Sequence, residues 1–266
     1  MNLAKPILSF ILSLGLLTLN QTVYAFDHEH QAWDKLLKTY LTADHRVAYQ
    51  RWQKNQDELN AYLNQLESVA YKTYQSWSPH QRKAFLINAY NAFTIKLILK
   101  HYPVDSIKDI GGLFSGPWSQ DFFTLLGGRI ESLDPIEHEW LRAKPELKDP
   151  RVHAVVNCAS VSCPVLRREA YVASRLDEQM DDAVESWLRD PKRNQFNPGK
   201  KVARLSKIFD WYDADFGGNK AGIAAFVKKF GPESARKTLT DSATIEFLEY
   251  NWQLNEVKEP KKKAKG

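Results

Sequence analysis

Apolar residues recur at helical spacing through the first half of the chain. His28 to Leu41 places Trp33, Leu36, Leu37, Tyr40 and Leu41 on one face. Asp57 to Val69 repeats the pattern with Leu59, Tyr62, Leu63 and Leu66. Ser78-Pro79 pairs an N-cap with proline at the first helical position, and predicts a helix to about Leu99 with Phe85, Leu86, Ala89, Phe93 and Leu97 as its stripe. Gly-containing Asp105 to Pro117 reads as loop.

The second half alternates. Phe122 to Leu125 and Ile130 to Leu133 flank Gly127-Gly128 and predict a hairpin. Asp134-Pro135-Ile136-Glu137 reads as a helix start, with Asp as N-cap and Glu three residues on as a capping-box partner. Val152 to Asn157 is an apolar run suited to a buried strand. Arg175 to Leu188 is an amphipathic helix, and Lys201 to Leu205 a strand. Ser206 to Phe216 and Lys220 to Phe230 read as helices stopped by glycine, and Thr244 to Trp252 as a last strand. Helices first and mixed elements afterwards predict an α+β fold, with a helix-rich first half packed on a small mixed or antiparallel sheet in one domain, 26–257.

The two ends differ from the middle. Lys5, the apolar run Ile7 to Leu19 and the small-residue site Val23-Tyr24-Ala25 have the layout of an export signal cleaved after Ala25. The run is short for a bilayer span, so residues 1–25 are expected to leave no transmembrane anchor, and the domain is expected in the periplasm or secreted. Residues 258–266 hold five of the lysines and one glutamate. They predict a disordered tail, able at most to make weak contact with an anionic surface. With both ends set aside, the formal charge of +5 falls to near zero, which excludes the profile of a nucleic-acid-binding domain.

Candidate chemistry concentrates in His153-Ala-Val-Val-Asn157-Cys158-Ala-Ser160-Val-Ser162-Cys163-Pro164. Cys158, at the exit of the expected strand, is a candidate nucleophile, with the amides after it as oxyanion donors. It needs a base. His153 is one candidate, although in a continuous strand positions 153 and 158 face opposite sides. His138, beside Glu137, is the other. Three plainer readings compete. The two cysteines of an exported chain can form a disulfide. His153, Cys158 and Cys163 can be metal ligands, but their spacing fits no standard zinc pattern, so neither metal nor cofactor is expected. Glu137 can serve only as a cap. Asn88 and Asn91, one turn apart on an apolar helix, must be hydrogen-bonded, and pin a loop or line a cleft. Asp215-Phe216-Gly217 lacks every other kinase element and reads as a helix end with glycine supplying a left-handed turn.

These segments also carry a family resemblance. Phe85 to Ala92, Ser132 to Arg142, His153 to Pro164, Ile208 to Gly217 and Tyr250 to Asn255 resemble, in order and spacing, the blocks of the family called domain of unknown function 547, with Asn251 where aspartate is commoner. The resemblance runs from about Ala48 to Asn255 and implies an exported member of bacterial type. It implies no settled activity. It does imply that serine can replace Cys163 while Cys158 is kept, which favours Cys158 as the functional thiol. The expected function is a cysteine-dependent hydrolase or acyl transferase of unknown substrate. Cys158 attacks, His138 or His153 acts as base, Glu137 or an asparagine orients the base, and Asn88, Asn91 and Asn157 are binding candidates. The alternative is a non-catalytic envelope-binding domain stapled by a Cys158–Cys163 disulfide.

The tail has no apolar side chain except Ala264 and can bury nothing. Truncation after Val257 should leave the melting temperature nearly unchanged in a thermal scan; a fall of several degrees would show that the tail docks.

Overall fold

The computed structural model describes residues 25–112 and 115–257. The expected signal, up to Tyr24, and the Lys-rich tail lie outside the described residues. Helices dominate, and one small sheet completes an α+β fold. In the first half, α1 (Gln31–Tyr40), α2 (Tyr49–Gln53), α3 (Asp57–Glu67) and α4 (Tyr71–Gln75) precede the long α5 (Pro79–His101). The Ser78 signature works as expected. Its hydroxyl accepts from the Gln81 N–H at 3.2 Å, while the Gln81 side chain accepts from the Ser78 N–H at 2.9 Å. The two short helices α2 and α4 span too few turns to show a period in sequence.

The stripe expected on α5 understates its burial. Every residue from Ala84 to Ile95 is buried, so this helix runs through the middle of the larger core rather than along its edge. Trp33, Trp52, Tyr62 and Tyr74 pack around it with the leucines of α1 and α3. No helix among the described residues is long and apolar enough to cross a membrane.

A smaller core forms in the second half. There α6 (Leu176–Arg189), α7 (Ile208–Trp211), α8 (Lys220–Phe230) and α9 (Glu233–Thr238) pack with a mixed three-stranded sheet. β1 (Gln195–Asn197) pairs antiparallel with β2 (Val202–Leu205), and β2 pairs parallel with β3 (Thr244–Phe247). Ala203, Leu205 and Ile245 point into this core beside Val184, Trp187 and Val227.

Several local expectations are corrected. Val152 to Asn157 is no strand. Residues Pro150–Ala154 form a 3-10 helix, because Asp149 caps it by accepting from the Arg151 N–H at 2.9 Å and Pro150 presets its first turn. The Asp149-Pro150 pair carries the same start signal as Ser78-Pro79, and it outweighs the β-branched run behind it. Glu137 is no cap either. Asp134 is already helical and makes no side-chain cap bond, and Pro135–Leu141 winds as a π-helix closed by Arg142 N–H donating to the Glu137 carbonyl at 3.0 Å. The hairpin shrinks to a Leu125–Ile130 bridge and one Phe122–Glu131 bond around Gly127 and Gly128. The segment 206–216 divides into α7 and a 3-10 turn, Asp213–Phe216, ended by Gly217 at φ +98°. The last strand stops at Phe247. Beyond it the chain pairs only through isolated bridges, Gln253 with Ser106, Leu254 with Ser160, and Glu256 with Val47.

One side chain ties the long helix to the second half. Asn88, fully buried, donates to the Tyr171 carbonyl at 2.7 Å and accepts from the Tyr171 N–H at 3.0 Å. Asn88→Ala leaves both backbone groups buried and unpaired. It should cost about 2–4 kcal/mol, read as a shifted midpoint in urea unfolding; a change within error would show that water replaces the amide.

Candidate active site

Cys158 sits in a loop, 155–164, that is held from several directions. Asn91 on α5 donates to the Val155 carbonyl at 2.9 Å and accepts from the Asn157 N–H at 2.8 Å. Asn157 donates to the Pro164 carbonyl at 2.7 Å and accepts from the Ala159 N–H at 2.8 Å. Arg193 donates to the carbonyls of Cys163, at 2.7 Å, and Val161, at 2.9 Å. The last described segment lies along the loop, with Val161 N–H donating to Gln253 and Asn255 N–H donating to Ala159. So restrained, Ala159 takes φ +58°, a left-handed conformation unusual for a residue with a Cβ.

The loop opens on a cleft of about 330 Å³ lined by Cys158, Cys163, Glu137, His138, His153, Asp134 and a set of aromatic rings. Both cysteines are free thiols. The Cys158 N–H donates to Cys163 Sγ at 3.0 Å. Cys158 Sγ lies 3.1 Å from the Tyr250 hydroxyl and 3.3 Å from that of Ser160, which itself donates to Tyr250 at 3.0 Å. Burial pushes the Cys158 thiol up. Hydrogen bonds from Cys163, Ser160 and Tyr250, and from the Ser160 backbone, outweigh it and hold the thiol below its ordinary value. Cys163 moves the other way, raised by burial and by its bond to Cys158. Of the two, Cys158 is therefore the thiol that ionises first.

His153 is buried on the same cleft. Its Nε2 lies 2.8 Å from Asp215 Oδ2, and its ring stacks on Tyr212 with centroids 4.3 Å apart. Asp215 also accepts from Arg142 Nε at 2.5 Å. Burial pushes the Asp215 carboxyl up, but the bonds from His153 and Arg142 bring it down to about 2. With Nε2 donating to Asp215, the imidazole leaves Nδ1 as its proton-accepting nitrogen. The parity argument against sharing a face with Cys158 lapses with the strand it assumed. His138 is at the rim, half exposed, with Nδ1 2.5 Å from Arg142 and Nε2 3.7 Å from Asp134. Neither imidazole hydrogen-bonds Cys158 Sγ. Glu137 is buried and its charge bears on the hydroxyls of Tyr90 and Tyr212, both raised first by burial. It does not orient a histidine.

Two further expectations change. Asn88, Asn91 and Asn157 do not line the cleft; Asn91 and Asn157 hold its loop backbone, and Asn88 pins that of Tyr171. The amides after Cys158 are engaged, Ala159 by Asn157 and Ser160 by the Cys158 sulfur, so the hydroxyl of Tyr250 is the group placed to receive charge from an atom bonded to Cys158. Ser160, Tyr250, Asp215 and Arg142 escaped the sequence reading. The only available signal was that all four lie in the recurring blocks.

The rest of the cleft is aromatic. Trp211, Trp252 and Tyr250 pack with centroids 4.5–5.6 Å apart, and Trp118 meets Trp252 at 5.8 Å. Trp211, at 44%, is the most exposed large apolar residue described. Among the described residues no group of three His, Cys, Asp or Glu side chains could hold a metal ion.

The profile of the family described as protein of unknown function, DUF547, matches residues 74–188. Over these residues the chain is similar to this family. The DUF547 match takes in both cysteines, His153, His138, Glu137 and the three asparagines, and leaves out Asp215, Trp211, Tyr250 and Trp252. Neither a curated protein nor a solved structure matches the chain.

The cleft yields two pH predictions. Alkylation of Cys158 by iodoacetamide should reach half-maximal rate below pH 9.0, the ordinary thiol value. Tyr250→Phe removes a donor and should move that midpoint upward; an unmoved midpoint would exclude Tyr250 as a source of the shift. Asp215, lowered from 3.8 to about 2, adds stability that is fully present above pH 3.8 and lost as pH falls towards 2. Asp215→Asn should flatten that part of the acid-unfolding curve.

Proposed function

We propose that this cleft is the active site of a thiol-dependent hydrolase or acyl transferase, with Cys158 as nucleophile and His153 as acid and base. The observation that carries the reading is the Cys158 sulfur, 3.1 Å from the Tyr250 hydroxyl and 3.3 Å from that of Ser160, on a cleft that also holds an imidazole paired with a carboxylate. A low thiol pKa in a partly exposed site is what nucleophilic cysteine chemistry requires. The disulfide reading has no support from two free thiols.

Cys158 gives its proton to Nδ1 of His153 and, as the thiolate, attacks the carbonyl carbon of an ester, thioester or amide, forming an S–C bond and moving the carbonyl π electrons onto oxygen. That oxyanion takes a hydrogen bond from Tyr250, which in the resting site serves the sulfur. The tetrahedral species collapses, and the leaving group departs with a proton from the His153 imidazolium. Water, or an acceptor alcohol or amine, then gives a proton to His153 and attacks the thioester, which releases the acyl group and restores the thiolate. Asp215 holds His153 in the tautomer this needs, and Arg142 holds Asp215. The aromatic wall from Trp118 to Trp252 positions the substrate. Together with the signal-like N-terminus, the reading puts the activity outside the cytoplasm, in the periplasm or secreted.

A panel of thioester and activated-ester substrates, with an electrophilic acyl probe, tests this. Cys158→Ser should abolish labelling and turnover while the fold persists. Cys163→Ser, which keeps a donor beside Cys158, should retain most of both. Asp215→Asn should lower kcat/KM by about 10²–10⁴-fold, and His138→Ala far less. Equal labelling of wild type and Cys158→Ser would sink the assignment.

A further inference from the structure

A separate set of ligand atoms lies where the expected signal stops. Cleavage after Ala25 makes Phe26 the first residue and His28 the third. We propose that the processed chain, beginning Phe26-Asp27-His28, binds one Cu(II) or Ni(II) ion through four nitrogens: the Phe26 α-amine, the backbone nitrogens of Asp27 and His28, and Nδ1 of His28.

Chelation favours this set for a simple reason. The amine and the two backbone nitrogens close two five-membered rings, and Nδ1 of a histidine in third place closes a six-membered one. The result is a square plane of nitrogen donors, the arrangement Cu(II) and Ni(II) prefer. Binding takes one proton from the ammonium group and one from each of the two amides, while the imidazole binds neutral. Three protons leave per ion, and two anionic nitrogens balance the dication.

The local structure leaves these atoms available. Neither the Asp27 nor the His28 N–H donates a hydrogen bond among the described residues. The turn into α1 is held instead by the Asp27 carboxylate, which accepts from the Glu29 and Gln31 N–H groups at 2.9 Å each, and that side chain is not a ligand. Nδ1 of His28 is buried without any hydrogen-bond partner, so an ion would satisfy a group that otherwise costs stability. His30 is not part of the set; it is buried, with Nδ1 2.7 Å from the Tyr62 hydroxyl. Phe26 packs its ring on Trp77 and Phe85, at 5.1 and 5.5 Å, which anchors the start of the processed chain on the domain. The His28 ring meets Trp77 at 4.6 Å, which provides an optical reporter.

This site depends on export processing and not on the thiol chemistry, and the test separates the two. Three forms are compared: the chain starting at Phe26, the same chain retaining Ala25, and the Phe26 chain with His28→Ala. Each is titrated with Cu(II) against glycine, which suppresses isolated surface histidines, and in parallel with Ni(II), which does not oxidise the free thiols. The Phe26 chain should take up one equivalent, develop the visible absorption of a planar four-nitrogen centre and lose tryptophan fluorescence. Retained Ala25 buries the amine in a peptide bond and should abolish the absorption, as should His28→Ala. The same absorption with Ala25 retained, or none at one equivalent in the Phe26 chain, would overturn the site. So would N-terminal sequencing of the exported protein that begins anywhere but Phe26.

Discussion

A helix buried on all sides can carry a polar side chain only where that group finds a partner, and the architecture of this protein follows from how α5 meets that demand. Asn88 and Asn91 stand one turn apart in a core of phenylalanine, leucine and isoleucine. Each amide is answered by backbone: Asn88 by both groups of Tyr171, Asn91 by Val155 and Asn157. Two polar residues thereby moor two stretches of irregular chain to the long buried helix. One of those stretches bears both cysteines. A loop held so firmly can keep Ala159 in a strained conformation and keep a thiol at a fixed place on a cleft wall.

The electrostatics of the cleft rest on the same economy of hydrogen bonds. Burial alone would keep Cys158 protonated. Its sulfur is instead surrounded by donors, while Cys163, buried behind it, keeps its proton and helps hold the neighbouring charge. Asp215 is half-buried yet ionised, because His153 and Arg142 both donate to the same oxygen. Arg142 reaches there from the end of a π-helix, and the widened turn sends Glu137 inward while leaving His138 at the rim. The result is one thiol eased towards ionisation and one oriented imidazole in a common cleft.

That cleft joins parts of the chain far apart in sequence. The loop with Cys158 and the π-helix with Glu137 lie inside the family match. Tyr212 and Asp215, between α7 and Gly217, and Tyr250 and Trp252, on the extended last segment, lie outside it. The last segment closes the structure, pairing with the cysteine loop and with Val47. Tyr250 thus reaches Cys158 Sγ only because residues 251–256 are laid along the loop.

By itself the sequence determined the long helices, the strand β2, the glycine stop at Gly217 and the segment holding the nucleophile candidate, because these depend on periodicity, caps and backbone freedom that act over a few residues. It misjudged Val152 to Asn157, where an Asp-Pro start overrides β-branched composition, and Glu137, where capping and burial share one residue pattern. Tertiary structure alone decided which histidine joins a carboxylate, which hydroxyl reaches the sulfur, and that the asparagines serve as moorings. His153 meets Asp215 across 62 residues and Cys158 meets Tyr250 across 92. Such contacts are set by how the two cores pack, and leave no local period or spacing in the chain.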